Sequence, residues 1–135
     1  MNYLLDTSAF SDLMREHVRM DARLEALARD DRVQICSIVR GEILYGLRRL
    51  PDGQRREALE AKAALLFAEF SCAPVPASAG DHYARVKRDC QREGLSLDEN
   101  DLWIAATALA SNAVLVSRDR DFQRIESLPV QDWTI

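Results

Sequence analysis

The feature that most constrains this fold is the apolar run at residues 3–5, which stops abruptly at Asp6. A continuous apolar run followed at once by turn and cap residues is typical of a strand buried on both faces. Asp6 is then expected at the carboxyl end of a central strand, where open α/β sheets bind their ligands. A helix is predicted at 9–16, with Thr7 or Ser8 as its cap. The alternative is that Asp6 is itself a helix cap, and this stretch alone leaves both open.

Along the rest of the chain, short apolar strands alternate with amphipathic helices. This alternation predicts a parallel sheet with helices on both faces. Ser37 is expected to cap one helix, Gly94 to end another, and Ser96 with Glu99 to form a capping box for the helix that carries Asp101. Strands are predicted at 33–36, 74–76, 113–116 and 130–133, and helices at 21–30, 38–50, 57–70, 81–92, 97–109 and 121–125.

Length and composition are those of a soluble globular protein. The 135 residues suit one domain with its own core, and 47% hydrophobic with 30% charged residues is ordinary for that class. No apolar run approaches the roughly 18 residues of a membrane span, and no signal segment precedes the first strand. Cys36, Cys72 and Cys90 show no metal-binding spacing, so buried reduced thiols and a cytoplasmic location are expected.

Several acidic residues are expected to meet at one edge of the sheet. Asp6 follows the first strand, Asp119 follows the fourth, and Glu42 lies early in the helix after the second. Asp101 shares a helix face with apolar residues, where a carboxylate costs several kcal/mol unless it is paired or bound to a cation. Mg²⁺ or Mn²⁺ prefers such oxygen ligands, and a site of this kind suits phosphodiester hydrolysis. Glu42 borders the apolar face of its helix, so a solvated Glu there stays open.

The basic residues are unusual in kind. Of the 18, 16 are Arg and 2 are Lys, while the net charge is −4. Arg makes planar, bidentate phosphate contacts, and biased codon usage explains the same excess equally well. Arg40, Arg118 and Arg120 lie near the acids in sequence, either as contacts to a nucleic-acid backbone or as ordinary surface residues. Nothing near His17 or His82 forms a nucleophile–base pair, so the chemistry is expected to depend on carboxylates.

Four segments carry motifs that occur in order along the whole chain. They are 4–8 (LLDTS), 37–46 (SIVRGEILYG), 100–108 (NDLWIAATA) and 115–122 (LVSRDRDF), with Trp133 near the end. Together they resemble the PIN-domain ribonucleases, and in particular the VapC toxins of bacterial toxin–antitoxin pairs. The resemblance implies a single PIN domain over 1–135, folded as a three-layer α/β/α sandwich around a parallel sheet of four to five strands.

The resemblance also implies a function and a site. It implies a Mg²⁺-dependent endoribonuclease, with Mn²⁺ as the other candidate ion, that a VapB-type antitoxin inhibits. Asp6, Glu42, Asp101 and Asp119 are implied as catalytic metal ligands. Ser117 stands where such toxins often carry Thr, and either hydroxyl can orient an acid. It is also a candidate substrate contact.

Two further acids are left open. Asp98 is either a first-turn acid favoured by the helix dipole or an outer ligand that acts through water. Asp121 belongs to the start of a short helix, or exchanges roles with Asp119.

Three other classes of protein fit the sequence less well, and a fourth stays open. A phosphatase of the haloacid dehalogenase type needs a second Asp where this chain has Ser8, and a response-regulator receiver needs a late Lys, although none follows Lys87. A PIN scaffold without activity predicts the loss of an acid, and none is lost. A nuclease of the same fold that acts on DNA remains the alternative, because nothing in the sequence reads a 2′-hydroxyl.

A partner surface is predicted on the helices at 38–50 and 57–70, which carry more apolar residues than one stripe needs. Leu44 lies off the core stripe of the first, and Leu66 belongs to an apolar line on the second. A groove is expected there for an antitoxin segment, a homodimer contact or both. An Arg of the antitoxin would pair with the carboxylates, and the resemblance implies assembly on operator DNA through the antitoxin.

Overall fold

We describe residues 1–135 from a computed structural model, which has five strands and seven helices. The strands are β1 (Asn2–Leu5), β2 (Arg32–Cys36), β3 (Ser71–Ala73), β4 (Val114–Val116) and β5 (Val130–Gln131). The helices are α1 (Thr7–Met14), α2 (Val18–Glu25), α3 (Ser37–Arg48), α4 (Gln54–Glu69), α5 (Ala79–Glu93), α6 (Glu99–Ala110) and α7 (Arg120–Gln123).

All five strands are parallel and lie in the order β3-β2-β1-β4-β5. The chain leaves β1 in one direction towards β2 and β3, then returns to place β4 on the other side of β1. Right-handed crossovers therefore place α1–α4 on one face of the sheet and α5–α7 on the other. This confirms the predicted α/β sandwich and puts the topological switch point between β1 and β4, where such sheets bind ligands.

The central strand is apolar on both faces because both are covered. Leu4 and Leu5 are fully buried, and the indole of Trp133, also fully buried, packs edge-on against Tyr3 with ring centroids 5.2 Å apart. The indole Nε1 donates to Gln131 Oε1 at 3.0 Å, so its only polar atom is satisfied. The residues after β5 thus close over the strand that ends at Asp6.

One helix cap matches the alternative that the sequence left open, and a second differs from the prediction. The carboxylate of Asp6, and not Thr7 or Ser8, caps α1 by accepting the Ala9 N–H at 2.8 Å. Asp98, and not Ser96, caps α6 by accepting the Asp101 N–H at 2.9 Å. In both cases the helix begins at a different residue from the predicted one, and an Asp there reaches the free amide three residues on.

The predicted capping box fails because its Glu is engaged elsewhere. Glu99 Oε1 lies 2.6 Å from Lys87 Nζ, and its other oxygen accepts from the Tyr83 hydroxyl. Tyr83 in turn stacks on Trp103, with ring centroids 4.1 Å apart and planes at 9°. These contacts join α5 to the first turns of α6, the helix that carries Asp101.

Several other boundaries were predicted wrongly, among them the start of α4, at 54 and not 57, and the end of β5, at 131 and not 133. The third strand covers 71–73 and not 74–76, because Pro74 and Pro76 have no N–H to give to a ladder. α2 begins at Val18, capped by His17, and α3 begins at Ser37, whose hydroxyl donates to a backbone carbonyl of the β3 end rather than capping its own helix. The Gly94 stop is confirmed, with φ at 71°.

The cysteines match the prediction in part, since all three are free thiols and Cys36 and Cys90 are buried, but Cys72 is exposed. None of the seven helices is long and apolar enough to cross a membrane.

Candidate active site

An acidic cleft opens at the carboxyl edge of the sheet, above the switch point between β1 and β4. All nine residues that line it are polar or charged. All four predicted site acids are among them. The lining residues are Asp6, Thr7, Ser8, Ser11, Glu42, Asp101, Arg118, Asp119 and Arg120.

Asp6 is fixed in the floor of the cleft by three donors. Because Leu5 pairs with Val116, the residues that follow β1 and β4 lie side by side, and the Ser117 hydroxyl donates to Asp6 Oδ2. The Ser8 hydroxyl donates to Oδ1 at 2.8 Å, and the Ala9 N–H donates to the same oxygen. Asp6 is therefore both the helix cap and a member of the cleft, so the two interpretations of its sequence position are compatible.

Burial and hydrogen bonding have opposite effects on the pKa of the Asp6 carboxyl group. Its side chain is 4% exposed, and desolvation raises its pKa above the ordinary value. The hydrogen bonds from Ser117, Ala9 and Ser8 lower the pKa, while the charge of Asp119 raises it a little. The Asp6 carboxylate is therefore held in place, and a nearby cation would stabilise its charged form.

Asp101 has the strongest electrostatic signature in the cleft. Partial burial, followed by repulsion from Asp98, Glu42, Asp119 and Asp6, raises its pKa to about 7. Its side chain accepts no hydrogen bond from the chain, unlike that of Asp6. Asp101 is thus the acid on which the charges of all the others converge, as expected for a carboxylate on the apolar face of α6.

The other two acids each have one local donor. The Thr7 hydroxyl donates to Glu42 Oε1 at 2.6 Å, which ties α3 to the start of α1. Asp119 caps α7 by accepting the Asp121 N–H at 2.9 Å, and its own N–H donates to Ser117 Oγ at 3.0 Å. Both carboxylates are half-buried and keep an oxygen free for the cleft.

The two acids that the sequence left open lie outside the cleft lining. Asp98 is exposed and serves as the cap of α6, although it is the strongest single charge acting on Asp101. Asp121 lies in the first turn of α7, where its N–H bonds to Asp119.

The structure places two of the four candidate substrate contacts in the lining of the cleft and two outside it. Arg120 lines the cleft and is exposed, and Arg118 lines it while its Nε bonds to Asp12 Oδ2 at 2.9 Å. Arg40 does not line the cleft, because its guanidinium lies on the opposite side of α3 from Glu42, 4.4 Å from the ring centroid of Phe67. Ser117 is fully buried and contacts Asp6, which is an orienting role rather than a surface contact.

The donor set of the cleft fits a hard divalent cation. It offers carboxylate and hydroxyl oxygens with no His or Cys, and none of the six ion pairs of the chain involves Asp6, Glu42, Asp101 or Asp119. In this structure no three Asp, Glu, His or Cys side chains are positioned to hold one ion together. Asp6, Glu42 and Asp119 are turned to donors of their own instead.

Several cleft residues were not predicted as site residues. Thr7 and Ser8 were taken only as caps, Ser11 was not singled out, and Asp12 emerges as the anchor of Arg118. The spacing offered one signal: in a helix that begins at Thr7, Ser11 lies one turn beyond Thr7 on the same face.

An apolar groove adjoins the acidic cleft and shares Thr7, Ser11 and Glu42 with it. Its apolar walls come from α1, α3, α4 and the ends between them, namely Met14, Ile43, Leu47, Leu50 and Leu59.

This groove lies close to the predicted one: Leu59 belongs to the apolar line predicted on α4, whereas the two residues singled out for the contact, Leu44 and Leu66, do not line the groove. Leu66 is 5% exposed and belongs to the core, and Leu44, at 39% exposed, faces away from the groove. The prediction was wrong about Leu66 because the apolar line through it on α4 packs against the protein's own core.

Comparison with known proteins gives a consistent result. The PIN domain family matches residues 3–128. Ribonuclease VapC1 of Haemophilus influenzae (strain R2866) is 32% identical over 141 residues, which cover 99% of each chain.

Two solved structures share the fold over nearly the whole length. VapBC2 from Rickettsia felis bound to a DNA fragment from its promoter superposes with a TM-score of 0.88 and 28% identity, over 98% of this chain and 99% of that one. VapBC-1 from nontypeable Haemophilus influenzae superposes with a TM-score of 0.85 and 29% identity over the full length of both. With the acidic cleft at the switch point of a five-stranded parallel sheet, these matches establish that the chain belongs to the PIN-domain family and, within it, to the VapC proteins.

Proposed function

We propose that this protein is a divalent-metal-dependent endoribonuclease, the toxin of a toxin–antitoxin pair, and that a VapB-type antitoxin inhibits it in the cytoplasm. The observation that carries the proposal is that four carboxylates, none of them in an ion pair, line one cleft. Burial and the neighbouring acids raise the pKa of Asp101 to about 7. The names of the relatives, which are ribonucleases and toxin–antitoxin complexes, support the same activity. Residues 1–135 act here as one domain.

The ion would be Mg²⁺ or Mn²⁺, held by Asp6 and Asp101 with Glu42 and Asp119 close by. When bound, such an ion neutralises charge on the scissile phosphate and lowers the pKa of an attached water. The hydroxyls of Ser8 and Ser117 keep Asp6 from rotating, so this ligand is already oriented before substrate arrives.

The chain's own residues account for the rest of the site. Arg120, free of ion pairs at the rim, is placed to bind the RNA backbone, and Arg118 is held by Asp12 beside it. The lining contains no His to take a proton from a 2′-hydroxyl, and in this proposal the carboxylates hold the ion rather than act as a general base. A water oxygen therefore attacks phosphorus in line with the departing 3′-oxygen, which leaves 5′-phosphate and 3′-hydroxyl ends.

The test is cleavage of RNA by the purified protein in Mg²⁺, with the ends of the products mapped. Wild type is expected to give 5′-phosphate ends, and Asp6→Asn and Asp101→Asn are expected to lose cleavage while they keep the fold. The matched control is Asp30→Asn, which makes the same change at an exposed acid that does not line the cleft. A 2′,3′-cyclic phosphate product, or full activity in either cleft variant, would overturn the assignment.

The apolar groove is the proposed binding site of the antitoxin. It runs from α4 to the acidic cleft, so a segment bound along it would bring its end to the carboxylates. An Arg at that end would pair with two of the acids and displace metal or substrate. Exposed apolar residues away from the groove, Leu44 and Leu65 among them, leave room for a homodimer contact, and assembly on operator DNA would proceed through the antitoxin.

A further inference from the structure

A second cleft, which we call the side cleft, shares a wall with the acidic cleft and has different chemistry. It is lined by Thr7, Ile38, Gly41, Glu42, Tyr45, Gly46, Arg49 and Asn100. Thr7 and Glu42 belong to both clefts, and the hydrogen bond between them forms the partition. The two clefts are therefore adjacent, and a chain bound in the acidic cleft can cross this pair into the side cleft.

The floor of the side cleft is one face of α3. Six of its eight lining residues recur at i, i+3, i+4, i+7, i+8 and i+11 along that helix, from Ile38 to Arg49. This stripe faces outward, whereas the core stripe of α3 consists of Val39, Ile43 and Leu47. The outward stripe of α3 is therefore accessible to a ligand that enters the side cleft.

Tyr45 is the central feature of this face. Its ring is 64% exposed, and the Arg49 guanidinium lies 5.5 Å from the ring centroid. Arg49 takes part in none of the six ion pairs. Asn100, next to Asp101 at the start of α6, adds an exposed amide on the opposite wall. An aromatic face, a free cation and an amide match the base, the phosphate and the base edge of one nucleotide.

The two glycines on this face support an external ligand. Gly41 and Gly46 lie inside α3, where each costs roughly 0.5–1 kcal/mol relative to Ala. A Cβ added to either would meet nothing within 4 Å. No contact within the chain therefore requires a glycine at these positions, and what they provide is an open floor beside the Tyr45 ring.

We infer that the side cleft binds one unpaired nucleotide that flanks the scissile phosphate, with its base stacked on Tyr45 and its phosphate on Arg49. The inference rests on the proposed ribonuclease function and adds to it a binding site for the base beside the scissile bond. A protein segment fits the side cleft less well, because only two of its lining residues are hydrophobic, against five in the apolar groove.

The experiment combines protein variants with altered substrates. Base–aromatic stacking of ~1–3 kcal/mol corresponds to about a 5- to 150-fold loss of kcat/KM in Tyr45→Ala, and Tyr45→Phe should retain activity. For wild type, removal of one base beside the mapped cleavage site should cost a similar factor. For Tyr45→Ala, removal of the same base should reduce kcat/KM little further, because the variant has already lost the stacking contact between ring and base. Val18→Ala, at an exposed apolar side chain on α2, is the control and should change nothing.

Glycine variants test the open floor separately. Gly41→Ala should raise the melting temperature by about 2–5 °C and yet weaken RNA binding. Gly80→Ala, in the first turn of α5 and also in open space, should raise stability without affecting RNA. Equal RNA binding by both glycine variants would overturn the inference.

A readout without cleavage separates the side cleft from the proposed activity. A short single-stranded RNA that carries 2-aminopurine should lose fluorescence on binding to wild type at low salt without divalent ions, and not on binding to Tyr45→Ala. Suppose that wild type cuts RNA, but that the loss of probe fluorescence and the loss of kcat/KM on removing the base are the same in wild type and in Tyr45→Ala. The inference is then wrong and the proposed function stands. If wild type quenches the probe but cuts no RNA, the ribonuclease assignment fails while the base site remains. A change of oligomeric state in Tyr45→Ala would instead make this face a contact between copies and overturn the inference.

Discussion

Replacing Asp101 by Asn should stabilise the metal-free protein while it destroys the activity. The wild-type carboxyl has a pKa of about 7 in the fold, against an ordinary value of 3.8, so its charge is disfavoured by folding. Taken in full, that shift corresponds to roughly 4 kcal/mol. Because the side chain is only half-buried, solvent screening reduces the figure to about 1–2 kcal/mol. Loss of a favourable first-turn charge offsets about 0.5 kcal/mol of this gain.

The sign of the pH dependence follows from the direction of the shift. The folded protein holds the Asp101 proton up to about pH 7, and the unfolded chain releases it near its ordinary pKa of 3.8. Wild type therefore loses stability as pH rises between these values, and the Asn variant does not. The advantage of the variant should be near zero at acid pH and complete above neutral pH, where the net gain of about 0.5–1.5 kcal/mol raises the melting temperature by about 2–6 °C.

Thermal unfolding across this pH range, in EDTA, measures the effect. Asp30→Asn, the same chemical change at an exposed position, should show no pH-dependent gain. Mg²⁺ should then stabilise wild type and leave Asp101→Asn unchanged. An Asn variant that is less stable than wild type at alkaline pH, or equally shifted at every pH, would refute the electrostatic account of Asp101.

Three further predictions concern neighbouring contacts. Ser117→Ala removes a donor that lowers the pKa of Asp6, so the acid limb of the pH–activity profile should move to higher pH, and an unmoved profile would deny Ser117 that role. Leu59→Asp should weaken VapB binding at least about ten-fold in titration calorimetry, as expected for a charge placed in an apolar groove, with RNA cleavage retained. Leu65→Asp is its exposed control, and equal binding by both would place the antitoxin elsewhere. Leu66→Asp should destabilise the fold by roughly 3 kcal/mol or more in urea unfolding, since that side chain is buried, and a milder effect would contradict its place in the core.

The strands and the edge where the acids meet could be predicted because they depend on short apolar runs and on chain order. The run at 3–5 marked β1, and parallel topology then brought the residue after β1 beside the residue after β4. That Asp6 contacts Ser117 follows from this register alone. These are consequences of periodicity and topology, which local sequence carries well.

Caps and side-chain directions could not be predicted in the same way. Ser96 and Asp98 both satisfy the rules for a cap, and the choice depends on Glu99 being held by α5 through Lys87. Arg40 lies near Glu42 in sequence but on the other side of α3, against an aromatic ring that belongs to α4. In each case the deciding partner comes from a different helix, and no local pattern reveals it.

The side cleft was missed for a related reason. Tyr45 and Gly46 belong to a segment that had been assigned to the family motif, and Leu44 drew attention as the exposed apolar residue next to them. Only the packing of α3 shows that Leu44 faces away while Tyr45 lies one turn beyond Glu42 on a face shared with the acidic cleft. Exposure, unlike periodicity, depends on what the rest of the chain covers.

The most direct test of the central claim is titration of Mn²⁺ into the metal-free protein, followed by calorimetry or by paramagnetic resonance of the free ion. Wild type and Asp30→Asn should bind the ion, with affinity falling as pH drops below about 7, because protons compete for Asp101. Asp6→Asn and Asp101→Asn should bind it much more weakly at every pH. Binding of Mn²⁺ by Asp101→Asn as tight as that of wild type would contradict the assignment of this cleft as the metal-dependent site.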